Sequence, residues 1–152
     1  MKVFRYELQV VRNGSANYKV IRNSFDAKRM SLELLGTELS QSPQEKMAVI
    51  ALDTKNRPIG FYIATVGTVD ASLVEPKVIF SRAICLLATS VILVHNHPSG
   101  DLSPSREDRC VTERLKAAGQ IIGVRVLDHI IIGYNPDSES IETFSLEEGG
   151  GR

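Results

Sequence analysis

Apolar and polar positions along the chain fall into runs that predict its elements. Val3 to Val11 alternates around Phe4, Tyr6, Leu8 and Val10, and Asn13-Gly14 then leads into the short run YKVI. This pattern predicts a hairpin over residues 1–22. Ser24 or Asp26 is placed to cap a helix in which Ala27, Met30 and Leu34 share one face, ending near Leu39 before the turn-rich SQSP. Met47 to Asp53 is a nearly continuous apolar run, TKNRP a turn and IGFYIATV a second run, the pattern of two antiparallel strands.

EPKVIFSRAICLLATS carries Pro76 near a helix start and sets Ile79, Ala83, Leu86 and Leu87 at helical spacing on one face. VILVHNH predicts a buried strand, and PSREDRCVTERLKAAG a helix whose Gly119 suits a carboxyl-terminal cap. VRVLDHIIIGY is a second buried strand. From Asn135 the chain turns acidic and ends in Gly149, Gly150 and Gly151, a tail expected to fray. With no internal repeat or low-complexity linker, the pattern predicts a mixed sheet packed with helices, an α+β or three-layer fold.

Composition narrows the function classes. A chain of 152 residues, 43% hydrophobic, suits one domain with a real core, here expected over residues 1–152. Its 18 basic and 18 acidic residues cancel, so overall charge makes no case for nucleic acid or an anionic membrane as partner. No apolar run approaches the roughly 18 residues that span a bilayer, and MKVFRYELQV reads as a strand and not as a signal peptide. A soluble, cytoplasmic protein is expected. Cys85 and Cys110 lack CxxC spacing and are expected to be buried reduced thiols.

The segment from His95 to Asp108, HNHPSGDLSPSRED, concentrates the chemistry. Side chains alternate along a strand, so His95 and His97 project to the same side, roughly 6.5 to 7 Å apart along it. Pro98 lacks an amide hydrogen and stops the ladder, while Ser99-Gly100-Asp101 lets the chain turn back. That return brings Asp108 into the first turn of the next helix, where its carboxylate can face the strand end. Two histidines, one aspartate and a water form the open tetrahedral site of a catalytic zinc enzyme. Ser105 has two competing readings: a helix-capping box with Asp108, or a hydroxyl that donates to a developing oxyanion. His129 reads as a hydrogen-bonded core residue, or as a group that orients Asp101 or Asp108 from behind. Asp101 itself reads as a turn residue.

His95-x-His97-Pro98, followed by Ser105-x-x-Asp108, resembles the JAMM motif of the MPN+ metalloproteases. With the later LDHIIIG it looks like the RadC branch of that superfamily, over approximately residues 40–145. The resemblance implies the cytidine-deaminase-like α/β sandwich of JAMM domains, with a mixed central sheet flanked by helices. It also implies Zn2+ held by His95, His97 and Asp108, with a metal-bound water activated by an upstream glutamate. In RadC-like proteins that glutamate lies just before a strand ending in aspartate and a turn, which assigns Glu45, with Glu75 as the fallback. The plain alternative for Glu45 is an exposed charge beside Pro43 and Lys46. Two departures stand out: a hairpin is expected where full-length RadC proteins carry a helix-hairpin-helix region, and Val78 replaces a commonly acidic residue. Asn96 between the histidines is ordinary for the branch.

The leading expectation is therefore a zinc-dependent metallohydrolase of metallopeptidase or isopeptidase type, acting on a peptide or isopeptide carbonyl. Its alternatives are a non-catalytic, metal-stabilised interaction module and a DNA-repair-associated accessory protein. Neutral charge and the lack of aromatic-basic interleaving weigh against the last. Neither the physiological substrate nor the oligomeric state is legible in the sequence.

Overall fold

A computed structural model describes Val3, Arg5 and residues 19–67 and 74–149. Most of the hairpin expected over residues 1–22 lies outside the described residues. The elements in order are α1 (Ser24–Ser40), β1 (Lys46–Leu52), β2 (Pro58–Val66), α2 (Pro76–Cys85), β3 (Ser90–Asn96), α3 (Arg106–Ile122), β4 (Arg125–Asn135), β5 (Ser140–Ser145) and the short α4 (Leu146–Gly149). Among the described residues they form one mixed sheet in the order β2-β1-β3-β4-β5. β3 and β4 pair in parallel, and the other neighbours are antiparallel. A parallel pair needs a crossover, and α3 supplies it.

The central strands are buried on both faces, which is why they read as continuous apolar runs. Met47, Val49, Ala51, Val91 and Leu93 join Ile79 and Phe80 of α2 and Val111 and Leu115 of α3. Their alternates Ala48, Ile50, Leu52, Ile92 and Val94 join Ala27, Met30, Leu35 and Leu39 of α1 on the other face. Three layers result, an α/β sandwich with β3 through its centre. Fully burying one Leu or Ile side chain contributes about 1.5–3 kcal/mol, so these two clusters anchor β3 firmly at the strand end that carries the histidines.

Several local expectations are corrected. The amino-terminal cap of α1 is Asn23, whose side chain accepts from the Asp26 amide; the Asp26 carboxylate is occupied by the Arg22 amide and guanidinium. α2 stops at Cys85, and Leu87, at φ 55°, turns outward to 84% exposure as the chain swings into β3. The cap of α3 is Gly123 in the left-handed region, not Gly119. Gly119 is helical and lets the backbone close in, since a Cβ there would sit 2.4 Å from the Val124 carbonyl oxygen. The acidic segment past Asn135 does not fray at once: Ser140–Ser145 pairs along β4 as an edge strand. Cys85 and Cys110 are exposed, on the outer sides of α2 and α3. No helix among the described residues is long and apolar enough to cross a membrane.

Candidate metal centre

β3 delivers His95 with the parity of Val91 and Leu93, hence toward α3, and His97 follows on the same side just past the strand. Gly100, at φ 81°, turns the chain over β4, and a Cβ there would come within 2.5 Å of the Tyr134 carbonyl oxygen. Asp108 is the third residue of α3 and closes a capping box: Ser105 Oγ accepts from its amide at 3.0 Å, and its Oδ2 accepts from the Ser105 amide at 2.7 Å. The box clamps the carboxylate toward the strand end, at a helix terminus whose dipole favours negative charge.

His95, His97 and Asp108 thus converge as a group able to hold a metal ion. His95 Nε2 lies 2.8 Å from His97 Nε2 and 3.1 Å from Asp108 Oδ1, and His97 Nε2 lies 3.2 Å from Asp108 Oδ2. A tetrahedral ion with bonds of about 2.0–2.1 Å spaces its donor atoms by about 3.3–3.4 Å. The two Asp108 separations are within a few tenths of an ångström of that size, and the His95–His97 separation is about half an ångström shorter. The donor set, two imidazole nitrogens and a carboxylate oxygen on one focus, fits such an ion.

The electrostatics agree with this geometry. Burial pushes the Asp108 carboxyl up, but the His95 and His97 rings beside it outweigh that and hold the group well below the usual carboxylate range. Asp108 in turn raises His97 above the ordinary histidine value, against burial and with a smaller contribution from Glu45. His97 Nδ1 contacts the Asp101 carbonyl at 2.5 Å, while the Asp101 side chain accepts from the Ser103 amide, as a turn residue does. His129 is fully buried, and that burial holds it well below the ordinary value, hence neutral. Its ring nitrogens are taken by Thr112 and His95, so it supports His95 from behind and hydrogen-bonds neither the Asp101 nor the Asp108 carboxylate.

Glu45 is half-buried in a cleft of about 460 Å³ that it shares with Pro43, Gln44, Gly67, His97, Pro98 and Ser99. Asn96, pointing to the opposite face from the histidines, brackets it: Oδ1 accepts from the Lys46 amide at 2.8 Å, and Nδ2 donates to the Gln44 carbonyl at 3.1 Å. The residue between the two histidines therefore pins the segment that carries Glu45. Glu75 is exposed, pairs with Lys77 at 2.7 Å and does not line this cleft. Ser105 is exposed and does not line this cleft, and its two expected roles compete less than the sequence implied. Capping uses an oxygen lone pair and leaves the hydroxyl proton for another acceptor. Sequence reasoning missed Thr112 and the bracketing role of Asn96; only the one-residue offset from each histidine hinted at the latter.

A mixed α/β sheet with this strand-end group defines a domain of the JAB/MPN class, and comparison with known families is specific about the branch. The RadC-like JAB domain family matches residues 25–150, and the chain belongs to it. A UPF0758 protein of Thermotoga maritima is 53% identical over 95 residues, covering 62% of this chain and 43% of the relative. A second, from Caldanaerobacter subterraneus subsp. tengcongensis, is 47% identical over 119 residues, covering 78% of this chain and 48% of the relative. A third, from Desulfitobacterium hafniense, is 39% identical over 128 residues, 84% of this chain and 56% of the relative. The chain spans about half the length of these curated relatives, whose names state no activity.

Proposed function

We propose that this domain is a zinc-dependent metallohydrolase that cleaves a peptide or isopeptide bond. The observation that carries the reading is the convergence of His95, His97 and Asp108 on one focus, with Glu45 in the adjoining cleft. Two imidazoles and one carboxylate in a small tetrahedral triangle favour zinc among the common divalent ions. When bound, the ion supplies Lewis acidity, lowering the pKa of a water and polarising a scissile carbonyl. Glu45 takes a proton from the attacking water as its oxygen bonds to the carbonyl carbon, and returns that proton to the amine nitrogen as the carbon–nitrogen bond breaks. The Ser105 hydroxyl donates to the carbonyl oxygen as it gains charge. Asn96 keeps Glu45 in register with the histidines throughout. Exposed free thiols at Cys85 and Cys110 suit a reducing compartment such as the cytoplasm.

Glu45→Gln tests the assignment against a panel of peptide and isopeptide substrates. The variant is expected to retain metal and lose about 10²–10⁴-fold in turnover. Full activity in Glu45→Gln removes Glu45 from the reaction. Metal-loaded wild-type protein that cleaves nothing in the panel supports the interaction-module alternative instead.

A further inference from the structure

We propose that Thr112 sets the direction of a buried Thr112–His129–His95 hydrogen-bond relay and thereby commits His95 to the tautomer whose Nε2 lone pair faces the metal pocket. This rests on the reading of His95 as a metal ligand and adds a positioning residue that touches neither ion nor substrate. Three short contacts carry it. Thr112 Oγ1 lies 2.6 Å from the Asp108 carbonyl oxygen and 2.6 Å from His129 Nδ1, and His129 Nε2 lies 2.7 Å from His95 Nδ1. Thr112, His129 and His95 are all buried.

A hydroxyl has one proton, and a carbonyl oxygen can only accept. The Thr112 proton therefore goes to the Asp108 carbonyl, and Thr112 Oγ1 presents only lone pairs to His129. His129 Nδ1 must then carry its hydrogen. A neutral imidazole bears one N–H, so His129 Nε2 is bare and accepts from His95 Nδ1–H. His95 Nε2 is left bare, facing His97 Nε2 and Asp108 Oδ1. The reverse direction would leave two oxygens 2.6 Å apart with no proton between them, and would end with a hydrogen on His95 Nε2 that blocks coordination. His97 gains the same tautomer by a shorter route, since its Nδ1 donates directly to the Asp101 carbonyl. Both ligands are thus set by a chain ending in a backbone carbonyl, a group that cannot turn donor. Partners behind a ligating histidine typically change metal affinity 10–100-fold when removed.

The test reads the ring nitrogens of the histidines by 15N NMR in the metal-free chain, for wild type, Thr112→Val and Thr112→Ser, and then zinc affinity by chelator competition. In wild type and Thr112→Ser, His129 and His95 should both be protonated at Nδ1. In Thr112→Val that preference should be lost and zinc should bind about 10–100-fold more weakly. A Thr112→Val protein with the wild-type tautomers and wild-type affinity overturns the proposal. The wild-type spectrum alone also decides it should Thr112→Val not fold: His129 protonated at Nε2 reverses the relay and overturns it. Reading tautomers without metal separates this from the hydrolase reading. A wild-type chain with both histidines protonated at Nδ1 that takes up no zinc supports the relay and contradicts the metal centre.

Discussion

The turn after β1 and the first turn of α3 each contain an aspartate held below its ordinary carboxyl value, and the two are built for different ends. Asp53 accepts from the Lys55 and Arg57 amides at 2.8 and 3.0 Å and from Arg57 Nε at 2.7 Å, all within four residues of itself. The Arg57 guanidinium beside it brings Asp53 to about 2. Asp108 takes one local bond, from the Ser105 amide, and its other partners are histidines from the end of another element. Asp53 lies at the rim with its cation in solvent, whereas Asp108 is buried and faces acceptors that satisfy one another only around a shared proton or ion. A depressed carboxylate therefore does not by itself mark a site. Convergence of buried donor atoms from distant segments does.

The largest effect expected to sharpen this contrast is ligand-linked stability. Free zinc at a thousandfold excess over its dissociation constant should stabilise the wild type by about 4 kcal/mol, an increment that chelator removes. Asp53→Asn should show the same increment in thermal unfolding; a smaller one would mean that the β1 turn communicates with the metal site.

Gly133→Ala probes the seat of the β3 loop. Its Cβ would lie 2.8 Å from the Gly100 carbonyl oxygen and 3.0 Å from Leu102 Cδ2. Overpacking of this kind costs about 1–3 kcal/mol, and the displaced loop should also bind metal more weakly; urea unfolding and metal titration read the two effects.

Asp128 is the intermediate case, a buried carboxylate that forms no ion pair among the described residues. Burial raises it above its ordinary value, although Ser145 Oγ at 2.9 Å and the His129 amide at 2.7 Å donate to it. The folded state then binds this proton more tightly than the unfolded chain, whose value is near 3.8. Stability from this site is present below that value and lost as pH rises through the folded one. Asp128→Asn should cost about 1–3 kcal/mol by stranding donors, and the gap between wild type and variant should narrow as urea titrations move upward from pH 4.

Arg57→Ala should have the smallest consequence. It returns Asp53 from about 2 toward its ordinary value, read by NMR titration, without altering metal content. For a depressed carboxyl the stabilisation is present above the unfolded value and lost as pH falls through about 2.

Much of this was legible in the chain because burial on both faces leaves a simple trace. MAVIAL and VILV are apolar throughout, His95 and His97 stand out as polar groups at the end of such a run, and Asp108 follows at the start of the next helix. β5 was hidden because SIETFS is a half-buried edge strand whose polar residues look like a tail. Gly119 and Gly123 were confused because one glycine serves close backbone approach and the other a left-handed cap, and composition does not distinguish them. Thr112 gave no signal: it is an ordinary helical residue whose partners, Asp108 and His129, lie one turn back and 17 residues ahead.

Metal content by mass spectrometry, on wild type and Asp108→Ala purified without chelator, tests the central claim most directly. The proposed metal centre predicts about one zinc per wild-type chain, in keeping with a single four-coordinate site, and none retained in the variant. Wild-type protein that is metal-free and also refuses added zinc would contradict it, leaving the His95–Asp108 loop as a capped turn with no metal chemistry.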